Sequence, residues 1–392
     1  MISRDRLIED FPILNDITYL DSASTSLTPR PVVDAMNDYY LNYNSNTGRG
    51  SYKIAIKSTN KVEQTREKIA KLLNTASQEI IFTKNTTEAI NLIANGLNFN
   101  TEDNIIISNI EHHSNFIPWV NKSIDIRIAK AKNYVVEPDS ISDLINKNTK
   151  LIAISHITNA FGSIQDIEEI IKIAHEMDVL VLVDSAQSAG HTEIDIKKLN
   201  PDFMAFPGHK GLLGPTGTGF LYLKEELSEE IKPSNLGGGT VTSVNGINFK
   251  LEEPPSRFEG GTLNIGGIIG LNAGIDYLLN FGIPKIENHI NNLTKMLYKG
   301  LQANGNVTIY GNPNNIHGIV SFNINGLNPY DVGKILDETD DICLRSGFHC
   351  AIPGLKSVGA NEGTVRGSFH VYNTKEDVEK LIYSIEELSQ FT

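Results

Sequence analysis

Two thiols and a lysine pose the chemical question in this chain. Both cysteines fall within CLRSGFHCAIPG, residues 343–354. Cys350 follows a histidine, between Gly347 and Gly354. A thiolate there is a nucleophile if the loop is partly exposed and locally electropositive, and Arg345 and His349 could supply that field. The plainer alternative is a small buried hydrophobe. Cys343, in DICLR, has a strand-like setting that favours a buried structural thiol. Lys210 stands beside His209 in PGHKGLLGPTGTG. It is either a solvated cation or a desolvated amine able to form a Schiff base. The glycines around it would let a flat ligand approach the backbone. GPTGTG lacks the GK[ST] ending of a Walker loop.

Other residues complement these. Asp184 closes the apolar run VLVLVD and is suited to a protonated ring nitrogen, a metal or a turn. In EHHSNFIPW, His112 and His113 lack the spacing that gathers metal ligands on one face, so no metal site is expected. An imidazole stacked on an aromatic ligand is compatible with His112, as is a plain loop histidine. In KNTTEAIN, Asn85 and Glu88 have capping-box spacing. The helix start beyond, with the Thr86 and Thr87 hydroxyls, is either a phosphate cradle or only a cap.

The elements that must position these groups follow from periodicity. Residues 79–83, 104–108, 151–158, 179–184, 202–206 and 219–223 read as strands, with helices at 87–97 and 166–178. Continuous Val/Ile/Leu strands separated by helices imply a parallel sheet covered on both faces, with ligands at its carboxyl ends. Residues 233–267, rich in Gly and Pro, read as largely loop. Two long helices follow, then a mixture of short strands and helices. The expected organisation is a large domain over 15–265 and a smaller α+β domain over 266–392 joined by residues 1–14.

Composition bounds the function. The 392 residues are 40% hydrophobic and 21% charged, ordinary for a globular enzyme. A net charge of −13 argues against nucleic acid or an anionic membrane as partner. Two cysteines build no disulfide framework, the first residues carry charges where a signal peptide is apolar, and no run reaches the ~18 apolar residues of a membrane helix. A cytoplasmic protein is expected.

Taken together, the strand ends offer a phosphate cradle, a carboxylate, a lysine and a stackable imidazole. One ligand uses all four: pyridoxal 5′-phosphate. The order of NTTEAINL, EHHSNFIPW, VDSAQ, GHKGLLGPTGTGFLY, RFEGGTLNIGGIIGL and RSGFHCAIP resembles the class V aminotransferase-like enzymes of fold type I. Within them it is most similar to the cysteine desulfurase and selenocysteine lyase branch, type II (SufS-like), from YLDSAST (19–25) to RGSFHVYNT (366–374).

The resemblance implies a mostly parallel seven-stranded sheet covered by helices, plus the small α+β domain. It implies that Lys210 carries the cofactor, Asp184 pairs with its ring nitrogen, Gln187 bonds its phenolic oxygen, and His112 stacks on the ring and moves protons. Thr86, Thr87 and His209 would hold the phosphate, with Thr262 from the second subunit of a homodimer. Asn159, Arg366 and Arg345 fall on the substrate side. Cys350 would take sulfur from L-cysteine as a persulfide, leaving L-alanine and serving a sulfur acceptor of SufE/SufU type or a cluster scaffold in iron–sulfur assembly. A selenocysteine lyase, another class V enzyme and a non-catalytic scaffold are the alternatives. A dinucleotide-binding oxidoreductase would need G-x-G-x-x-G after the first strand, which is absent. Pro207, Leu263, Ile265, His370 and Tyr372 depart from the family pattern, and 351–365 is particular to the subgroup.

Overall fold

A computed structural model describes residues 4–48 and 50–391. Residues 1–3 and Thr392, assigned above to the small domain, lie outside the described residues. After a short strand β1 (Thr18–Tyr19), the central sheet is built from β2 (Ile80–Thr83), β3 (Asn104–Ser108), β4 (Asp125–Ala129), β5 (Thr149–Ser155), β6 (Leu180–Asp184), β7 (Phe203–Pro207) and β8 (Gly219–Leu223). Its order is β2-β8-β7-β6-β5-β3-β4. All neighbours are parallel except those of β8, which runs antiparallel to both β2 and β7. The inner strands are apolar on both faces because helices cover both; Ile105–Ile107 and Val181–Val183 are completely buried. The edge strand β4 interrupts its apolar residues with Asp125 and Arg127 and buries only Ala129, so it left no apolar run in the sequence.

The covering helices show why they form. In helix Ile167–Glu176, Asp166 caps the N-terminus by accepting from the Glu169 amide, and Ile167, Ile170, Ile171 and Ala174 are its buried face. Helices Arg30–Asp38 and Lys53–Leu73 pack against Ile265–Leu279 beside the large sheet. The next long helix, Ile283–Ala303, packs instead on the second sheet and on helix Lys375–Leu388.

Residues 233–267 are not simply loop. Strands β9 (Val241–Asn245) and β10 (Asn248–Leu251) form an antiparallel hairpin. The two-residue turn is Gly246-Ile247, closed by the Asn245–Asn248 pair, with Gly246 at φ +62°, the Gly-first turn signal that the surrounding glycine and proline content obscured.

The second sheet has the order β11-β12-β15-β14, where β11 is Val307–Tyr310, β12 Ile319–Ile324, β14 Arg345–Gly347 and β15 Thr364–Ser368. Between β12 and β14, β13 (Ile342–Cys343) pairs in parallel with β1. The N-terminal segment then continues along β15: the Ser368 amide donates to the Leu20 carbonyl, and Asp21 bridges to Ser368. This places residues 21–25 beside the carboxyl ends of the large sheet. Among the described residues, no helix is long and apolar enough to cross a membrane.

Candidate active site

The carboxyl ends of β2, β3, β5, β6 and β7 open into one cavity of about 230 Å³. Its lining includes Thr86, Thr87, His112, Asn159, Asp184, Gln187, His209 and Lys210, with Arg345 and Arg366 from the second sheet. Each arrives on a local device that the chain explains. Asn85 is the N-cap of helix Thr86–Gly96 and accepts from the Glu88 amide at 2.9 Å. Glu88 returns its carboxylate to the Lys84 amide, one residue earlier than a standard capping box. The first amides of this helix have no intrahelical acceptor. The buried Thr86 Oγ1 has no hydrogen-bond partner, and Thr87 Oγ1 meets Ser114 Oγ at 2.6 Å. A helix N-terminus with an unused buried hydroxyl suits an anionic oxygen group.

Two loops are locked together to place the lysine. Gly190, at φ +76°, faces Gly211, and a Cβ on Gly190 would stand 2.1 Å from the Gly211 carbonyl oxygen. The loop after β6 thus packs backbone to backbone on the loop that carries Lys210. His209 is held by Thr25, its Nδ1 lying 3.0 Å from Thr25 Oγ1. Burial pushes Lys210 down to about 8 against the opposing pull of Asp184, which favours a reactive amine. Asp184 is itself buried, and burial raises its carboxyl while the Ala186 amide, donating at 2.8 Å, and Lys210 lower it. Such a carboxylate gains from a cation placed against it. Gln187 gives one amide N–H to the Ala23 carbonyl at 3.0 Å.

His112 accepts from the Ser114 amide at Nδ1, so its neutral ring carries the proton on Nε2. Burial first, then the nearby cations Lys210, Arg345 and Arg366, hold it down to about 3. Beneath it lies Glu111, which sequence reasoning passed over inside a run weighed only for its two histidines. It accepts from Ser108 at 2.6 Å, Asn115 at 2.8 Å and Ser155, yet burial pushes it up to about 7. The carboxyl therefore ties β3 to β5 under the cavity floor.

The thiol side belongs to the second sheet. Cys350 Sγ is 3.6 Å from Arg345 Nη2 and is partly exposed. His349 does not supply positive field, contrary to expectation. It is buried, burial and two arginines drive it down to about 2, and its Nε2 turns away to Thr364 Oγ1 at 2.8 Å. Cys343 also departs from expectation: Ile342 takes the buried position of β13, and Cys343 at its end is partly exposed, beside Asp337 and Asp341. Asn159 donates from Nδ2 to the His349 carbonyl at 2.6 Å, and its Oδ1 is buried without a partner. Arg366 donates to the Asn159 carbonyl and to Asp21, while its Nε is buried and unpartnered. An unfilled guanidinium N–H beside an orphan amide oxygen is a place for an amino acid's carboxylate and amine.

Thr262 lies outside this cavity, exposed, among Glu259, Gly260 and Leu263. His370 and Tyr372 are buttresses. His370 Nε2 meets the Gly211 carbonyl at 3.1 Å, and the Tyr372 hydroxyl meets Ser22 Oγ at 2.6 Å. Pro207 lines the cavity without a hydroxyl to offer.

Comparison with known proteins agrees with this geometry. The aminotransferase class V family profile matches residues 18–381. A protein of Methanothermobacter thermautotrophicus named "probable cysteine desulfurase" is 50% identical over 386 residues, 97% of this chain and 96% of its own. One of the same name from Pyrococcus abyssi is 44% identical over 97% of this chain and 96% of its own. Among solved structures, an apo cysteine desulfurase from Thermococcus onnurineus superposes with a TM-score of 0.96 at 43% identity, covering 100% of this chain and 99% of that one. An Escherichia coli cysteine desulfurase in an S-sulfonic acid form gives 0.92 at 32% identity, with 100% and 99% covered.

Proposed function

We propose that this chain, which belongs to the aminotransferase class V family, is a pyridoxal phosphate-dependent cysteine desulfurase converting L-cysteine to L-alanine with Cys350 receiving the sulfur. The observation that carries the reading is the placement of Cys350 Sγ against Arg345, whose guanidinium lines the same cavity as Lys210 and Asp184.

The donor set fits the cofactor. The orphan Thr86 hydroxyl, the free amides of the helix and His209 suit its phosphate, Asp184 its ring nitrogen, Gln187 its phenolic oxygen and Lys210 its aldehyde. When bound, pyridoxal phosphate supplies an electron sink that weakens the substrate's carbon–sulfur bond. Lys210, depressed by burial, holds and moves a proton at Nζ beside the substrate carbon. His112 presents Nε2–H to the same space. Arg366 takes the substrate carboxylate at its unfilled Nε–H, and Asn159 Oδ1 accepts from the amine side.

Cys350, with its Sγ 3.6 Å from Arg345 Nη2, attacks the substrate sulfur as the thiolate. A sulfur–sulfur bond forms as the carbon–sulfur bond breaks, and that electron pair stays with the substrate carbon, which gains a proton to become alanine. The persulfide on partly exposed Cys350 is then handed to a sulfur-acceptor protein, in the service of iron–sulfur cluster assembly in the cytoplasm. L-Selenocysteine satisfies the same contacts. We place Thr262 on the phosphate of a neighbouring subunit in a homodimer, consistent with its exposure outside its own cavity.

The test is to reconstitute the protein with pyridoxal phosphate, add L-cysteine and dithiothreitol, a dithiol reductant that discharges the Cys350 persulfide as sulfide, and assay alanine and sulfide in one tube. Both products should appear together in the parent protein. Cys350→Ala should lose sulfur release while keeping the visible absorption of the loaded protein. Desulfuration at the parental rate by Cys350→Ala would refute the role of the thiol.

A further inference from the structure

Strands β14 and β15 are paired so that Arg345 stands directly opposite Arg366. Like charges at facing positions of an antiparallel pair repel. Burial lowers the Arg366 guanidinium first, Asp21 opposes this, and Arg345 adds to the lowering. The two guanidiniums nevertheless converge on one oxygen. Ser24 Oγ accepts from Arg345 Nη1 at 2.8 Å and from Arg366 Nη2 at 2.8 Å, and donates to Asp21 Oδ1 at 2.7 Å. A hydroxyl has one proton and two lone pairs, so this group is saturated. Donation to a carboxylate polarises the oxygen and strengthens it as an acceptor for both cations. Asp21 completes the node by pairing with Arg366 Nη2 at 3.0 Å. The other end of the Arg345 guanidinium, Nη2, faces Cys350 Sγ.

We propose that Ser24 is a positioning residue: its hydroxyl holds the guanidinium that faces Cys350 and the guanidinium that receives the substrate carboxylate as one unit. The inference rests on the desulfurase reading for the meaning of the two arginines, though not for their geometry. With its Nη1 pinned by Ser24, Arg345 has its Nη2 edge committed to the sulfur. Without that anchor, repulsion from Arg366 turns Arg345 away, and the thiolate loses its neighbouring cation. Arg366 loses one of its three anchors at the same stroke, keeping Asp21 and the Asn159 carbonyl, so substrate affinity falls with thiol reactivity.

The experiment compares Ser24→Ala and Ser24→Thr with the parent as pyridoxal phosphate-loaded proteins. Alkylation by iodoacetamide near neutral pH is followed by mass spectrometry at Cys350, with circular dichroism and the thermal midpoint reporting on folding. KM and kcat for L-cysteine are measured in parallel. Ser24→Ala should slow alkylation of Cys350 several-fold, leave the fold unchanged and raise KM, and Ser24→Thr should restore alkylation and KM. Introduced into an Arg345→Ala background, Ser24→Ala should slow Cys350 no further, since the two act through one contact. Parental alkylation of Cys350 in Ser24→Ala, or equal slowing in the Arg345→Ala background, overturns the proposal. Desulfuration surviving in Cys350→Ala would sink the functional reading alone and leave the alkylation result to decide the role of Ser24.

Discussion

His317 offers a sharp test of how burial governs this fold. Its Nδ1 meets Asn291 Oδ1 at 2.7 Å, its Nε2 has no partner, and its ring lies 6.1 Å from that of His191. Burial, then repulsion from His191 and His156, holds it down to about 3. An unfolded histidine titrates near 6.5, so the unfolded chain binds the extra proton. The contribution is therefore intact above about pH 6.5 and is lost as pH falls from there towards 3. Between about pH 7.5 and pH 5.0, the linkage amounts to about 2 kcal/mol for this one ring. Other groups move in the same interval: His156 and His370, each held near 4, add to the loss, and Glu111, raised to about 7, opposes it. The comparison that isolates His317 is thus His317→Gln against the parent. Urea denaturation of the loaded proteins at both pH values, followed by circular dichroism at fixed concentration, gives a double difference. The loss of the Asn291 contact is present at both pH values and cancels. The variant should lose about 2 kcal/mol less than the parent on acidification. Parallel losses would show that His317 takes up no proton on unfolding and would refute the burial argument.

Two further changes probe the cavity. Asn85→Ala removes the cap that orders the helix N-terminus and should cost about 1 kcal/mol in thermal unfolding. It should also weaken pyridoxal phosphate binding, read as a higher dissociation constant by fluorescence; unchanged affinity would separate the cap from the anion site. Gly190→Ala puts a Cβ against the Gly211 carbonyl in a left-handed backbone and should destabilise by at least ~1–3 kcal/mol. It should slow the formation of the visible absorption that reports Lys210 joining the cofactor; a normal rate would show that the two loops do not set the lysine.

The central sheet was legible because its inner strands are apolar on both faces. Runs such as NIIIS and VLVLVD admit few other readings once helices alternate with them. The cap at Asn85 was legible because capping is local. What escaped depends on distant register. Nothing in YLDSAST announces that Ser24 will meet Arg345 and Arg366, more than 300 residues away, because that contact is set by the N-terminal segment lying along β15. Glu111 was hidden for a related reason. A carboxyl beside two histidines reads as a ligand or a surface charge, and only the pairing of β3 with β5 brings Ser155 onto it. His349 was misread because sequence places it next to the thiol without telling which way its ring points.

The cysteine loop shows where the fold concentrates strain. The loop lies between glycines, yet two residues with a Cβ, His349 and Cys350, take the left-handed backbone, at φ +50° and +58°. Side chains with a Cβ pay about 1–2 kcal/mol each in that region. Four hydrogen bonds hold the pair there: the His113 amide to the Cys350 carbonyl at 2.7 Å, Asn159 to the His349 carbonyl at 2.6 Å, the Ala351 amide to the Phe348 carbonyl at 2.8 Å, and the His349 ring to Thr364. The anchors come from the residue after His112, from Asn159 and from β15, so the loop is fastened to the same elements that build the cavity. Asn159 fastens both sides, with its amide on the thiol loop and its carbonyl on Arg366. A buried hydrophobic cysteine would need no such fixture. Two consecutive left-handed residues, restrained from three directions and aimed beside a guanidinium, are what a nucleophile of fixed approach requires.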